Sequence, residues 1–456
     1  MESLSPLLPR RAHLVGIAGS GMRALADVLL GLGWQLSGSD LEAAAVEKIP
    51  RSVRCFVGHS VEHIPAGTQE LIHSEAVPAD NPELCGARQL GLPTFSYAQM
   101  LGRLGRGRQT VAVAGTHGKS TTTAMLGHLL GEAGRDPMIV CGATPLGQTS
   151  GGRAGGETLL VEACEFRHNF LHLDPQQAAI LGIELDHVDC YPELPRLEDA
   201  FRQFAGRLPE DGFLLARHGC PSSQRILAAT GRRGETFGQN WAADWTASEL
   251  TDEGGCFRFV IQYRGKLLGK VRLRAPGRHN VLNALAAAAL AWHNGLSAVE
   301  IVRGLGSFAG LHRRMERLPA WRGVERVDDY AHHPTEIAHS LETVRRLFPH
   351  NRVWCVFQPH QASRTGHFFA SLAASLRNVD KLLVAEIFRA REGAPRPGEI
   401  TAADLARCAV GLGVDAIPGH TDEEIRQVLA TQLAPGDVLV TLGAGDVAKF
   451  QPGEQQ

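Results

Sequence analysis

Along this chain, apolar runs of about five residues alternate with stretches in which apolar positions recur every three or four residues. The first kind reads as buried strand, the second as amphipathic helix. Residues 12–40 give AHLVGIAG as strand, MRALADVLLGLG as helix and WQLSGSD as a second strand ending at Asp40. TQELIHSEAV then reads as a strand reaching Ser74, and ADNPELCGARQLG as the helix after it. The Gly- and Arg-rich stretch GRLGRGRQ, residues 102–109, reads as a linker. Beyond it come three further strands: TVAVA at 110–114, ETLLVEACEF at 157–166 and AAILGIELDHVDCY at 178–191. A polar segment with β-like alternation, CFRFVIQYRGKLLGKVRLRA, precedes an Ala-rich helix within PGRHNVLNALAAAALAW at 276–292. GLHRRMERLP marks a second joint. After it GVERVDDY, NRVWCVFQPH, VDKLLVAEIF and GDVLVTLGAGD read as strands. HHPTEIAHSLETVRRL, ASRTGHFFASLAASL, TAADLARCAV and TDEEIRQVLATQL read as the helices among them. Repeated β-α units with short loops predict mostly parallel sheets covered on both faces, hence an α/β fold. The punctuation predicts three domains, at residues 1–106, 107–312 and 313–456.

Two of these strands break into glycine immediately before a helix. In AGTHGKSTTT, Gly115, Thr116, His117 and Gly118 form the loop, and the helical pattern opens at Ser120. Backbone N–H groups and the positive end of the helix dipole then converge on one point, which suits phosphate. Lys119 would reach the terminal phosphates, and the hydroxyl of Ser120 or Thr121 is placed to ligand Mg²⁺. A glycine turn with a solvated lysine is the plain alternative. Near the N-terminus, Gly16, Gly19 and Gly21 follow a strand, with Asp40 about twenty residues on. Diphosphate and ribose binding fits that order. A nicotinamide cofactor fits it poorly, because the glycines run G-x-x-G-x-G.

The second domain offers hard oxygen ligands beside the phosphate loop. Glu162 and Glu165 lie at the end of one strand, and Glu184, Asp186, His187 and Asp189 at the end of the next. Glu162 is the best Mg²⁺ candidate, since an acid ending an apolar strand needs a cation or donor to offset its desolvation. His187 reads equally well as a core histidine. Asn280 and Asn283 share one helical face and suit either an adenine edge or, for Asn280, helix capping. In the third domain, polar residues gather at strand ends in three groups. These are Asp328, Asp329, His332 and His333, then His360 and Arg364, then Gly443 to Asp446. Three such groups on one sheet edge would line a crevice.

Composition narrows the picture only at its margins. Lys plus Arg (46) nearly cancels Asp plus Glu (48), which argues against nucleic acid as the main partner. Nine cysteines without a Cys-x-x-Cys pair favour reduced thiols. The segment MESLSPLLPRRAHLVGIAG does not read as a signal peptide, and ALAAAALAW is too short to span a bilayer. A soluble, cytoplasmic protein with no membrane partner is expected; the oligomeric state stays open.

Taken together, the motifs resemble the Mur ligase family, ATP-dependent amide-forming enzymes of peptidoglycan synthesis. GIAGSGM (16–22), AGTHGKSTTT (114–123), EACEFRHNFL (162–171) and IELDHVDCY (183–191) carry the resemblance in the first two domains. HNVLNALAA (279–287), DDYAHHPTE (328–336), FQPHQASRT (357–365) and LGAGDV (442–447) complete it. The resemblance implies a Rossmann-like first domain holding the UDP group of UDP-N-acetylmuramate through Gly16, Gly19, Gly21, Asp40 and Ser74. It implies a P-loop ATPase central domain binding ATP and Mg²⁺, with Lys119 on the terminal phosphates. Ser120 and Glu162 would hold one Mg²⁺ and His187 a second, while Asn280 and Asn283 would contact adenine. It implies a Rossmann-like third domain with Arg314 and Asp329 toward phosphate and ribose, and His332 near the reacting centre. His360 and Arg364 would meet the amino acid, L-alanine. Many members carry arginine where this chain has Gln361. A sister ligase that adds a whole peptide to the same UDP-sugar is the nearest alternative. A nicotinamide-dependent dehydrogenase is the alternative from another class.

Overall fold

The computed structural model describes residues 10–390, 392–417 and 421–452. They form two compact units. Residues up to Ile183, with Glu198–Phe237 and Ala286–Ile301, make the first. Glu184–Leu197, Gly238–Leu285 and the residues from Val302 onward make the second.

The first unit contains a parallel five-stranded sheet in the order Arg54–Val57, Gln35–Asp40, Arg11–Val15, Glu70–His73, Thr94–Ser96. The order reverses direction between Arg11–Val15 and Glu70–His73. The loops leaving those two strands therefore flank a crevice at the carboxyl edge. The same unit holds the strands around the phosphate loop. Arg233–Gly238, Phe213–Arg217, Gln177–Ile180, Gln109–Ala114, Thr158–Ala163 and Met138–Val140 run parallel, and Gly152–Arg153 pairs antiparallel at the edge. Strand Gln109–Ala114 lies between Gln177–Ile180 and Thr158–Ala163, and its side chains from Thr110 to Ala114 are buried. Burial on both faces explains why it reads as a continuous apolar run.

The segment AAILGIELDHVDCY is strand only in its first part. The strand is Gln177–Ile180, and the chain leaves the sheet at Gly182, whose φ is 145°. The Gly182 carbonyl accepts from the Thr116 N–H at 2.9 Å, so its bonding goes to the phosphate loop instead of to a neighbouring strand.

In the second unit, Trp245–Glu253, Cys256–Tyr263 and Lys266–Arg272 form an antiparallel meander; the alternation predicts strand for the last two, and Trp245–Glu253 went unread. A six-stranded sheet follows in the order Glu316–Trp321, Val324–Asp329, Val438–Leu442, Val353–Phe357, Lys381–Val384, Ala416–Ile417. Only its first pair is antiparallel. Side chains of Val353, Cys355 and Phe357 pack with Ile337, Leu341, Leu372 and Leu405. The intervening Trp354 and Val356 pack with Ile425 and Leu429. Period-two alternation thus feeds two apolar layers, one on each face. ASRTGHFFASLAASL is two helices, Ala362–His367 and Phe369–Ser375, meeting at Phe368 (φ −96°, ψ 15°).

Helix Ser20–Gly31 of the first sheet also packs on the edge of the phosphate-loop sheet. A Cβ on Gly152 would collide with the backbone of Ala24, and one on Gly31 would meet the Ala154 side chain. Glycine at these positions lets the two layers touch backbone to backbone. Gly152→Ala is expected to lower unfolding stability by about 1–3 kcal/mol, read as a reduced urea midpoint at unchanged m-value.

Candidate functional site

The phosphate loop leaves Ala114 through Gly115 (φ 135°) and enters helix Lys119–Glu132 at Gly118 (φ 82°). A Cβ on Gly115 would press on the Leu181 backbone at 2.9 Å. The helix starts at Lys119, one residue before the pattern suggests, and has no side-chain cap and no acidic residue in its first turn. Its N-terminal N–H groups are therefore available to an anion. Thr116 and Ser120 are buried, while His117 and Thr121 are half-buried at the same opening. Lys119 Nζ donates to the carbonyls of Gly115 (2.5 Å) and Thr116 (3.2 Å) and to both carboxylate oxygens of Glu165 (2.9 and 3.1 Å). Glu165 is fully buried. Its role as partner of the loop lysine went unread in the sequence, where Glu162 and Glu165 stand equally at a strand end. Glu162 pairs in register with Val113, so it faces the same edge as the loop. One of its oxygens accepts from Gly142 N–H (2.7 Å) and from the Cys141 thiol (2.9 Å).

At the first sheet's crevice, Gly16 (φ 77°) sits against Ser74, whose Cβ would lie 3.0 Å from a Cβ at Gly16. The N–H groups of Gly16 and Ile17 donate to the Ser39 carbonyl at 2.9 and 3.1 Å. Ala18 N–H donates to the Asp40 carboxylate at 2.9 Å. Asp40 therefore closes the glycine loop on itself. What stays open is the N-terminus of helix Ser20–Gly31, capped by Gly19 without a side-chain bond and free of acid in its first turn. Gly21 lies there, with the Tyr97 ring 3.1 Å from where its Cβ would be.

Beneath this loop lies a cluster that sequence spacing does not reveal. Glu83, fully buried, accepts from Ser39 Oγ (2.5 Å) and His59 Nδ1 (3.0 Å). His13 Nε2 and His63 Nδ1 stand 3.5 and 3.4 Å from its other oxygen. Burial raises the Glu83 carboxyl, but the nearby His13 and the bonds from Ser39 and His59 outweigh that and hold it below the ordinary carboxylate range. The five residues come from distant stretches: His13 and Ser39 lie on adjacent strands, His59 in a loop, His63 on a short helical turn and Glu83 on helix Pro82–Gln89.

In the second unit, Asp329, Leu442 and Phe357 align in register across three adjacent parallel strands. The three predicted polar groups therefore share one sheet edge. Gly443 N–H donates to the Asp329 carbonyl (3.1 Å), and the His332 and His360 rings lie 5.7 Å apart. Asp329 accepts from Met315 N–H (3.1 Å), Ala331 N–H (2.9 Å) and Ser340 Oγ (3.1 Å). Burial pushes its carboxyl up to about 6, against the opposing pull of Arg314. Arg314 stacks on the Tyr330 ring at 4.9 Å.

Arg364 is buried, with Nη2 2.7 Å from Asp186, yet its Nε and Nη2 groups lack a well-directed acceptor among the described residues. Burial raises the Asp186 carboxyl, but the Arg364 guanidinium leads the opposing charges that outweigh it and hold the group well below the carboxylate range. His187 has positive φ (50°), its N–H donating to Asp186 at 2.6 Å. The Asn280 and Asn283 amides bond to each other at 2.9 Å, and Asn280 Nδ2 also donates to the Pro276 carbonyl at 2.7 Å. Asn280 lies inside helix His279–His293, so it does not cap it. Gln361 is strained (φ 64°), and the amides after it, Ala362 and Ser363, donate to Glu392 at 2.6 and 3.0 Å.

Known proteins share this architecture from end to end. Residues 11–109 match the family model "Mur ligase family, catalytic domain", 113–291 the "Mur ligase middle domain" and 313–445 the "Mur ligase, glutamate ligase domain". A UDP-N-acetylmuramate–L-alanine ligase of Oleidesulfovibrio alaskensis is 39% identical over 96% of both chains. The crystal structure of a UDP-N-acetylmuramate–alanine ligase from Thermotoga maritima superposes with a TM-score of 0.82 at 25% identity, covering 96% of this chain and 97% of the other. A murein peptide ligase from Psychrobacter arcticus gives 0.75 at 24% identity, with 97% of each chain covered. No helix among the described residues is long and apolar enough to cross a membrane.

The His332 ring makes a prediction of its own. Nδ1 lies 3.0 Å from the Tyr330 carbonyl, which can only accept, so Nδ1 carries the proton and Nε2 presents a lone pair. Burial, with Arg364 adding to it, pushes the imidazole down to about 3 against the pull of Glu336 and Asp186. An unfolded chain takes up that proton near 6.5. Folded-state stability from this group is thus complete above that pH and is lost as pH falls toward 3. The His332 ring carbon resonances are expected to stay at their neutral-imidazole positions from pH 8 down to about 5 in a ¹H–¹³C titration. Movement centred near 6.5 would contradict the burial argument.

Proposed function

Because the chain belongs to the Mur ligase family, we propose that it joins L-alanine to the lactyl carboxylate of UDP-N-acetylmuramate, using ATP, in peptidoglycan synthesis. The observation that carries this reading is the phosphate loop: an uncapped helix, one ammonium and two carboxylates at the end of one strand. We assign residues 1–106 to the UDP-sugar, 107–312 to ATP with Mg²⁺, and 313–456 to the amino acid.

Two anions must meet in the first step. The lactyl carboxylate attacks the γ-phosphorus of ATP, the bond to the β-phosphate oxygen breaks, and acyl phosphate and ADP result. Lys119 and the N–H groups of the loop offset the repulsion and hold the triphosphate in line. The donor set suits Mg²⁺: Ser120 Oγ and the Glu162 oxygen that takes no hydrogen bond among the described residues are both hard. When bound, that ion neutralises charge on the moving phosphoryl group. We assign His187 to a second cation, and Asn280, Asn283, Arg314 and Asp329 to the nucleotide.

In the second step the neutral amine attacks the acyl carbon and inorganic phosphate leaves. The buried Arg364 N–H groups fit the amino-acid carboxylate, and we assign His360, whose ring lies against His332, to the same substrate. His332 acts as a hydrogen-bond acceptor that orients the amine. An imidazole held near 3 takes no proton from an alkylammonium. The amides of Ala362 and Ser363 are already committed to Glu392 and are not part of this anion site.

The sister reading is transfer of a whole peptide; the peptide-ligase likeness, at 24% identity, speaks for the shared fold alone. With UDP-N-acetylmuramate and MgATP, phosphate release is expected with L-alanine and not with the tripeptide; turnover with the tripeptide alone would reverse the choice. A dehydrogenase leaves Lys119, Glu162 and Glu165 without a task. Lys119→Ala is expected to lower kcat by at least about a thousandfold while UDP-sugar affinity holds within about threefold. Isotope-labelled oxygen placed in the lactyl carboxylate is expected in the released phosphate; its absence would exclude the acyl phosphate.

A further inference from the structure

Glu162 presents two unlike oxygens. Oε1 accepts from Gly142 N–H at 2.7 Å and from Cys141 Sγ at 2.9 Å. Oε2 takes no hydrogen bond among the described residues. Sheet register produces this arrangement. Val140 pairs with Val161, so the next residue on each strand, Cys141 and Glu162, stand side by side at the carboxyl edge. The Cys141 side chain is buried, and its sulfur is also 3.5 Å from the Ser120 carbonyl. One thiol thus touches both residues assigned to the cation. Gly142 keeps the other side clear. A Cβ there would lie 3.5 Å from Glu162 Oε2 and 3.8 Å from Ser20 Oγ, on the oxygen left open. Cys141 and Gly142 also line a cavity of about 140 Å³ together with Ser20 and Arg23.

We propose that the Cys141 thiol is a positioning residue for the cation-binding carboxylate: it donates to Glu162 Oε1 and so turns Oε2 toward the ion. A carboxylate held by the Gly142 N–H alone can rotate about its last torsion and exchange its oxygens. A second donor on the same oxygen removes that freedom, as outer partners of metal ligands do elsewhere. Serine at this position keeps an O–H donor, whereas alanine removes it and leaves the packing nearly unchanged. The inference rests on Glu162 as cation ligand in the proposed function, and the experiment separates the two.

Mn²⁺ binding to the full chain with ADP, followed by electron paramagnetic resonance, is the readout. Cys141→Ala is expected to weaken Mn²⁺ by roughly tenfold, and Cys141→Ser to stay within about twofold of the unaltered chain. In the unaltered chain the infrared S–H stretch lost on Cys141→Ser is expected below the free-thiol frequency, and to move on Glu162→Gln. Unchanged Mn²⁺ affinity in Cys141→Ala, equal weakening in both cysteine variants, or a free-thiol S–H band would each overturn the proposal. Mn²⁺ affinity untouched by Glu162→Gln would instead overturn the cation assignment, and this inference with it. Binding lost in Glu162→Gln but kept in Cys141→Ala would reject the thiol's role alone.

Discussion

A lysine at the start of a helix faces the wrong end of the dipole. Lys119 puts an ammonium where the peptide dipoles already concentrate positive charge, and the first turn of its helix holds no acid to balance it. The chain meets this local excess with Glu165 and with two carbonyls of the loop. These acceptors are replaceable ones. In the proposed function, a polyphosphate at the loop would offer oxygens to the ammonium and to the uncapped N–H groups at once, in place of Glu165. Without bound phosphate, the same residues satisfy each other at the cost of a poorly used helix terminus.

The third sheet handles buried charge in a similar manner. Arg364 and Asp186 are both buried, and each compensates the other's desolvation. The guanidinium nevertheless keeps donors without well-aimed acceptors, an arrangement that costs stability and suits a second carboxylate. Next to it, His332 is held neutral and Asp329 is pushed toward protonation. With His332 neutral, the Arg364 guanidinium supplies positive charge beside Asp186 at this edge. In the proposed function, a substrate carboxylate would meet the guanidinium here, and a substrate amine a neutral acceptor.

The sequence was legible where one residue type answers one backbone demand. Gly118 and Gly16 need positive φ, and glycine between strand and helix announced both loops. The two apolar faces of strand Val353–Phe357 were equally plain. The strand read across 178–191 was too long because apolar side chains continue past Gly182, where the backbone has already turned toward the loop. The break at Phe368 carries neither proline nor glycine, so helical periodicity ran through it. Asn280 and Asn283 have amide spacing that fits either adenine or a cap, and their mutual bond is invisible until the helix start is known. The Glu83 cluster was out of reach for a different reason. Its members are 13, 39, 59, 63 and 83, and no local pattern ties them.

Helix starts supply the clue that spacing alone does not. Helices Pro82–Gln89, Tyr97–Gly105, Ala402–Gly411 and Asp422–Gln432 are capped by the side chains of Asn81, Ser96, Thr401 and Thr421. Helices Ser20–Gly31 and Lys119–Glu132 follow glycine and have no such cap. A side-chain cap is worth about 1 kcal/mol, so leaving it out at a glycine-lined crevice gives up stability in the empty state. That loss is recovered only when something anionic occupies the terminus. Absence of a cap after a glycine loop is therefore compatible with an anion at the terminus. Of the starts described in the first compact unit, Pro221–Thr230 also lacks a cap behind Gly219, while those at Ser20 and Lys119 stand where the proposed function puts a UDP diphosphate and ATP.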